Sequence, residues 1–305
     1  MKNSIIIPER LLLETVFGCN ARCKMCPVHL PTSRKKGVMT FELFKYVIDE
    51  LGPYKYHIQL IDLFGMGEPL LDNNLDQKIC YAKSKGFKNL AIATNADLLN
   101  EKKVSQLYQS GLDTIIISID GSCKETHERI RINTNFNRIV DNAKRAILIR
   151  DKGDFKTKLI FRFIIQDENK QEWPHFQQYW LPLIAKERGD KITGYEMHTW
   201  GGEFQLHKDS RKKRVPQEIP CHHLFDRLVV LCDGTVSMCC SDLHQSKYSF
   251  GHVKDDSPMN VFNSKKANAF RKIHTEGNRY KMKICQECSI LESECDRKEM
   301  DLVKI

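Results

Sequence analysis

Within "GCNARCKMCP" (residues 18–27) three cysteines, Cys19, Cys23 and Cys26, occupy eight positions with C-x3-C-x2-C spacing. In a chain of this size such closely spaced thiols point to metal rather than to disulfides. A structural zinc site wants four closed ligands, usually as two pairs. A [4Fe–4S] cluster wants one thiolate per iron, so three thiolates leave its fourth iron open to something other than protein. The spacing favours the cluster. Zinc completed by His29, or three reduced thiols on a loop, are the alternatives it leaves open.

The twelve cysteines fall in two groups, three at 19–26 and seven between 221 and 295, with only Cys80 and Cys123 elsewhere. That is a two-site pattern. The segment between the groups alternates apolar runs and helical spacing about every 25 to 30 residues. The spacing predicts strands within 58–69, 89–96, 113–121, 158–166 and 191–200. Helices are predicted over 39–52, 73–86, 100–111, 137–153 and 173–189, with Cys80 facing the core. No hairpin dipeptide interrupts the series, so the units read as right-handed β/α repeats closing a full or partial barrel. Reactive groups gather on the loops after the strands of such barrels. Cys19–Cys26, Gly65–Pro69, Thr94–Asn95 and Ser118–Gly121 all fall there.

After about residue 200 the rhythm breaks. A polar connector precedes "FDRLVVLCDGTVSMCC", which reads as a β-hairpin turning at Asp233–Gly234, and then cysteine loops. A boundary near 195–210 divides the chain into 1–200 and 201–305. The net charge of +9, from 48 basic and 39 acidic residues, is dispersed. "SRKK" (33–36) and "SRKKRV" (210–215) read as solvated loops, which argues against a nucleic-acid partner. No stretch of 18 apolar residues exists, and the N-terminal segment lacks a signal-peptide pattern, so the expected location is cytoplasmic.

The cysteine loop and the β/α rhythm together resemble the radical S-adenosylmethionine (SAM) superfamily over most of the first 200 residues. The resemblance implies an α/β fold, a partial (β/α)6 TIM-like barrel. In that family the open iron chelates the amino and carboxylate groups of SAM. "GMGEP" (65–69) is similar to the family's glycine–glutamate motif, which implies that Gly65, Gly67 and Glu68 receive the SAM ammonium. By the same resemblance Asn95 of "TNA" lies at the SAM site, and Ser118 and Arg131 contact its ribose or carboxylate. Met66 and Ala96 depart from the commoner glycines. Read alone, Ser118 can simply end a strand and Arg131 can sit on a helix surface. Arg162, alternating within "LIFRFII", is a candidate for the substrate site.

"PCHHLFDRLVVLCDGTVSMCC", "FGHV" and "CQEC" resemble the small C-terminal SPASM or twitch domain, which binds auxiliary clusters. The resemblance implies a second [4Fe–4S] cluster on Cys221, Cys239, Cys285 and Cys288. A four-cysteine zinc site is the alternative. Cys232, Cys240 and Cys295 are left over, as packed residues or hydrogen-atom donors. The layout is similar to that of the family's aminocyclitol dehydrogenases, which implies oxidation of a sugar or aminocyclitol alcohol, with the auxiliary cluster as electron acceptor. A reductant such as flavodoxin or ferredoxin is implied as partner. A peptide-modifying enzyme, forming thioethers or epimerising residues, is the second reading. Such enzymes often carry a recognition domain ahead of the barrel, for which Cys19 leaves no room. "TWGGE" (199–203) is similar to related proteins, with Trp200 either walling the cavity or packing in the core.

Overall fold

The computed structural model describes residues 5–204 and 216–291. Its strands are β1 (Arg10–Leu13), β2 (Val16–Phe17), β3 (Arg22–Cys23), β4 (Gly37–Val38), β5 (Leu60–Asp62), β6 (Leu90–Thr94), β7 (Thr114–Ser118), β8 (Arg131–Ile132), β9 (Lys158–Ile165), β10 (Lys191–Glu196), β11 (Arg227–Val230), β12 (Thr235–Ser237) and β13 (Ser249–His252). The helices are α1 (Phe41–Leu51), α2 (Leu75–Ser84), α3 (Glu101–Gln109), α4 (Lys124–Ile130), α5 (Phe136–Lys152), α6 (Trp173–Trp180), α7 (His223–Asp226), α8 (Pro258–Phe262), α9 (Lys265–Thr275) and α10 (Lys283–Gln286).

The strands β1, β5, β6, β7, β9 and β10 lie side by side in chain order, and every pairing among them is parallel. The alternation predicts a full or partial barrel, and this is the partial six-unit form that the resemblance implies. Helix spacing explains how each unit closes. In α1 the buried residues Phe44, Val47, Ile48 and Leu51 form one stripe, Thr40 caps the start by accepting from the Leu43 N–H, and Gly52–Pro53 follows the end.

Three expectations need correction. Cys80 is exposed, because the buried face of α2 is Leu75, Lys78, Ile79 and Ala82, and the next residue after Ile79 turns about 100° away. The helix expected over 173–189 stops at Trp180, since Pro182 has no N–H to continue it. Within "SRKK", Lys35 and Lys36 are exposed as expected, but the Arg34 side chain is buried against Glu14.

The hairpin forms where predicted, with Gly234 at φ +93° in the turn. Its role in the sheet was not legible. β11 pairs in parallel with the free edge of β1, from Arg10↔Arg227 to Leu13↔Val230, and β12 and β13 follow antiparallel. The C-terminal segment therefore extends the barrel sheet and covers an edge that would otherwise be open.

Candidate active site

The cysteine loop is anchored by backbone. Gly18 and Gly67 form a parallel bridge, and the Glu68 N–H donates to the Gly18 carbonyl at 2.9 Å. A Cβ at Gly67 would lie 2.3 Å from the Val16 oxygen and 2.7 Å from that of Gly18, so only glycine fits. A Cβ at Gly65 would meet Glu14 at 2.9 Å. Gly67 thus lets the turn lie directly against the start of the thiol loop, and Gly65 lets it lie against Glu14. β3 and β8 pair antiparallel with Cys23 opposite Arg131, which brings two residues 108 positions apart to one place.

Arg131 is buried, not a surface helix residue. Its Nη1 donates to Cys23 Sγ at 3.7 Å and its Nε to Asp120 Oδ2 at 2.7 Å. Burial pulls its pKa down, but Asp120 and Cys23 outweigh that and hold it above the ordinary value. Asn95 Nδ2 donates to Cys19 Sγ at 3.7 Å and to Asn20 Oδ1 at 2.9 Å. Glu68 accepts from Thr94 Oγ1 at 2.7 Å, from the Asn95 N–H at 2.8 Å and from the Leu70 N–H at 3.1 Å. Its carboxylate therefore ties the end of β6 to the glycine turn. Ser118 closes β7 and accepts from Arg162 Nη2 at 2.9 Å. His29 directs Nε2 at the Ala21 carbonyl oxygen, so that contact turns it to the backbone instead of the thiols.

Burial sets the acidity of the three thiols. Those of Cys19 and Cys26 are pushed up to about 12, chiefly by burial, with the Glu68 carboxylate adding to the effect at Cys19. Cys23 is also raised by burial, with Arg131 opposing. Three thiolates here need a cationic partner, and soft sulfur donors suit iron–sulfur chemistry. The donor set fits a [4Fe–4S] cluster.

A second pocket is lined by Cys221, Cys239, Cys240, Cys285 and Cys288. Burial raises the thiols of Cys221 and Cys239 and pushes that of Cys285 up to about 12, with the neighbouring thiols adding to it. The same argument for a soft cationic partner applies. The thiols line the walls of the pocket. Cys240 is held by Arg227, whose Nη1 donates to its Sγ at 3.3 Å. Cys232 stands apart, beside Arg34 and Glu14. Cys295 lies outside the described residues.

Hydrogen bonds from two adjacent residues join the sites. The Trp200 indole N–H donates to the Met25 carbonyl at 2.9 Å, inside the thiol loop, and Thr199 bonds to Glu287 and Ser289 beside Cys288. Trp200, Gly201 and Gly202 all have positive φ, and a Cβ at Gly201 would lie 2.4 Å from Ile284. The stretch is a bracket between two cysteine loops.

Comparison with known proteins defines the class. The radical SAM superfamily pattern matches residues 13–178, and an iron–sulfur cluster-binding domain, SPASM, matches 221–289. This chain belongs to the radical SAM superfamily and carries a SPASM domain, which implies iron–sulfur clusters and SAM as cofactors. It is 22% identical to the tungsten-containing aldehyde ferredoxin oxidoreductase cofactor-modifying protein of Pyrococcus furiosus, over 94% of this chain and 88% of that protein. It is 22% identical to the S-adenosyl-L-methionine-dependent 2-deoxy-scyllo-inosamine dehydrogenase of Niallia circulans, over 91% of each. Among solved structures, BtrN in complex with AdoMet and 2-DOIA superposes with a TM-score of 0.62 at 19% identity, covering 92% of this chain and 93% of that one.

Several residues of this site escaped the sequence reading. Asp120 in "SIDG" is wholly buried and supports Arg131, and Asn20 lies beside Asn95 and Asp97. Glu14 and Arg34 form a buried ion pair beneath the glycine turn. Their types are ordinary for loop ends, and only proximity gives them meaning.

Proposed function

We propose that this radical SAM enzyme oxidises an alcohol of a small sugar or aminocyclitol to a ketone. In this reading residues 1–200 hold a [4Fe–4S] cluster on Cys19, Cys23 and Cys26, with SAM beside Gly65, Gly67, Glu68, Asn95, Ser118 and Arg131. Residues 201–305 hold a second [4Fe–4S] cluster on Cys221, Cys239, Cys285 and Cys288. When bound, the first cluster and SAM supply a 5′-deoxyadenosyl radical able to take hydrogen from an unactivated carbon. Oxidation then releases one hydrogen atom, one proton and one electron from the alcohol carbon and its hydroxyl. The four-thiol pocket is the place from which that electron is accepted. A flavodoxin or ferredoxin supplies the first electron, and the reaction belongs to the cytoplasm.

The observation that carries this reading is the polar lining of the barrel. Arg162 and Thr193 are register partners on β9 and β10, so they lie on one face of the sheet, the face of Ser118. Arg162 Nε and Thr193 Oγ1 are both buried without a protein partner. Buried polar atoms ask for partners, and a polyhydroxylated substrate supplies them. The whole-length likeness to the 2-deoxy-scyllo-inosamine dehydrogenase supports the same substrate class.

The test is anaerobic turnover with SAM, a one-electron reductant and a panel of sugars and aminocyclitols in deuterated water. The expected product is two hydrogens lighter and unlabelled at the attacked carbon. A product of unchanged composition carrying one deuterium there would make the enzyme an epimerase. Turnover of a peptide with no small molecule consumed would establish peptide modification instead.

A further inference from the structure

His274, on α9, is wholly buried and stands between the Cys221 backbone and the Cys285 thiol. The Cys221 backbone N–H donates to its Nδ1 at 3.2 Å. Its Nε2 lies 3.6 Å from Cys285 Sγ. A ring nitrogen that accepts a backbone N–H carries no proton of its own, so the ring is neutral and its single proton sits on Nε2. The backbone contact therefore decides the tautomer, and the tautomer aims an N–H at the sulfur.

We propose that His274 tunes the reduction potential of the auxiliary cluster by donating an Nε2–H···S hydrogen bond to the Cys285 thiolate. This rests on the reading that Cys221, Cys239, Cys285 and Cys288 hold such a cluster. A donor on a ligating sulfur stabilises the form with more negative charge, which is the reduced cluster, and so raises the potential. In an electron-accepting role a higher potential favours uptake of the substrate's electron. His274 touches neither substrate nor SAM in this scheme; it acts through Cys285. Cys240 receives its hydrogen bond from Arg227 and is a separate feature of the same pocket.

Two substitutions separate the two bonds. His274→Asn places its amide where Nδ1 was, keeping an acceptor for Cys221 and losing reach to Cys285. His274→Gln places an N–H donor where Nε2 was. Both are made in a Cys19→Ala/Cys23→Ala/Cys26→Ala background, which removes the core cluster's signal. Iron and sulfide are measured first, then an EPR-monitored redox titration. About four irons in the background protein upholds the cluster reading; none refutes that reading, and the proposal falls with it. With iron retained, His274→Asn is expected to shift the reduction equilibrium about tenfold toward the oxidised form, about 59 mV for one electron, and His274→Gln to leave it near the parent value. Equal potentials in all three proteins, or the same shift in both variants, overturn the proposal. Loss of iron in both variants while the background keeps it makes His274 a folding element and also overturns it.

Discussion

The ion pair of Glu14 and Arg34 is where the thiol loop, the glycine turn and the C-terminal hairpin meet. Glu14 is wholly buried and the Arg34 side chain is 6% exposed. Arg34 Nη1 donates to Glu14 Oε1 at 3.1 Å, its Nη2 bonds Oε2, and its guanidinium stacks 4.0 Å from the centre of the Phe17 ring. Glu14 also accepts from the Met66 N–H and the Cys232 N–H, each at 3.2 Å, and Arg34 donates to the Leu243 carbonyl. Arg34→Met leaves a buried carboxylate facing only two backbone donors. Breaking a buried pair from one side costs about 3–5 kcal/mol. For a chain this long, that lowers Tm by roughly 5–8 °C. Glu14→Gln/Arg34→Met removes both charges and should recover about 1–3 kcal/mol against the sum of the single changes. The assay is anaerobic urea unfolding of all four proteins, with iron content and 5′-deoxyadenosine formation measured on each. Because Met66 lies in the glycine turn, SAM cleavage should fall in Arg34→Met while iron is retained. A coupling energy below about 0.5 kcal/mol would refute the claim that the pair acts as one unit.

Cys19→Ala/Cys23→Ala/Cys26→Ala should abolish 5′-deoxyadenosine formation, and continued formation under anaerobic reduction would remove the core-cluster assignment. Cys285→Ala, provided it stays soluble and keeps the core cluster, should cleave SAM but yield little oxidised product; wild-type oxidation by such a protein would make the second cluster structural. Cys80→Ala is the control, and because Cys80 is exposed its stability should change by no more than about 0.5 kcal/mol. His127 is wholly buried and accepts the Asp120 N–H at Nδ1, and burial, with Arg131 adding, lowers its pKa to about 3 from 6.5. The unfolded chain then binds the proton that the folded chain refuses, so stability is full above pH 6.5 and is lost as pH falls. Between pH 7.5 and 5 the wild type should lose about 2 kcal/mol more than His127→Asn, and parallel urea profiles would contradict this.

Local pattern makes much of the chain readable from its sequence. Strand and helix periods reflect which face of each element is buried, so the order of the β/α units followed from apolar spacing alone. The C-x3-C-x2-C run was legible for a similar reason, since three thiols carried on one loop are close in sequence. The glycines of "GMGEP" were legible as a motif, but that Gly67 lies against Val16 and Gly18 is decided by the fold. The rest depended on distance in space. Arg131 reaches Cys23 only because β8 pairs with β3, and β11 joins β1 only because the barrel leaves that edge open. Arg34 looked like part of a solvated basic cluster, and only the burial of Glu14 beneath Gly65 shows why one arginine of that run turns inward. His274 carries no motif at all. Its proton is placed by a backbone N–H 53 residues away in the chain, and a hydrogen-bond partner at that separation is decided by packing, which no local pattern of residues encodes.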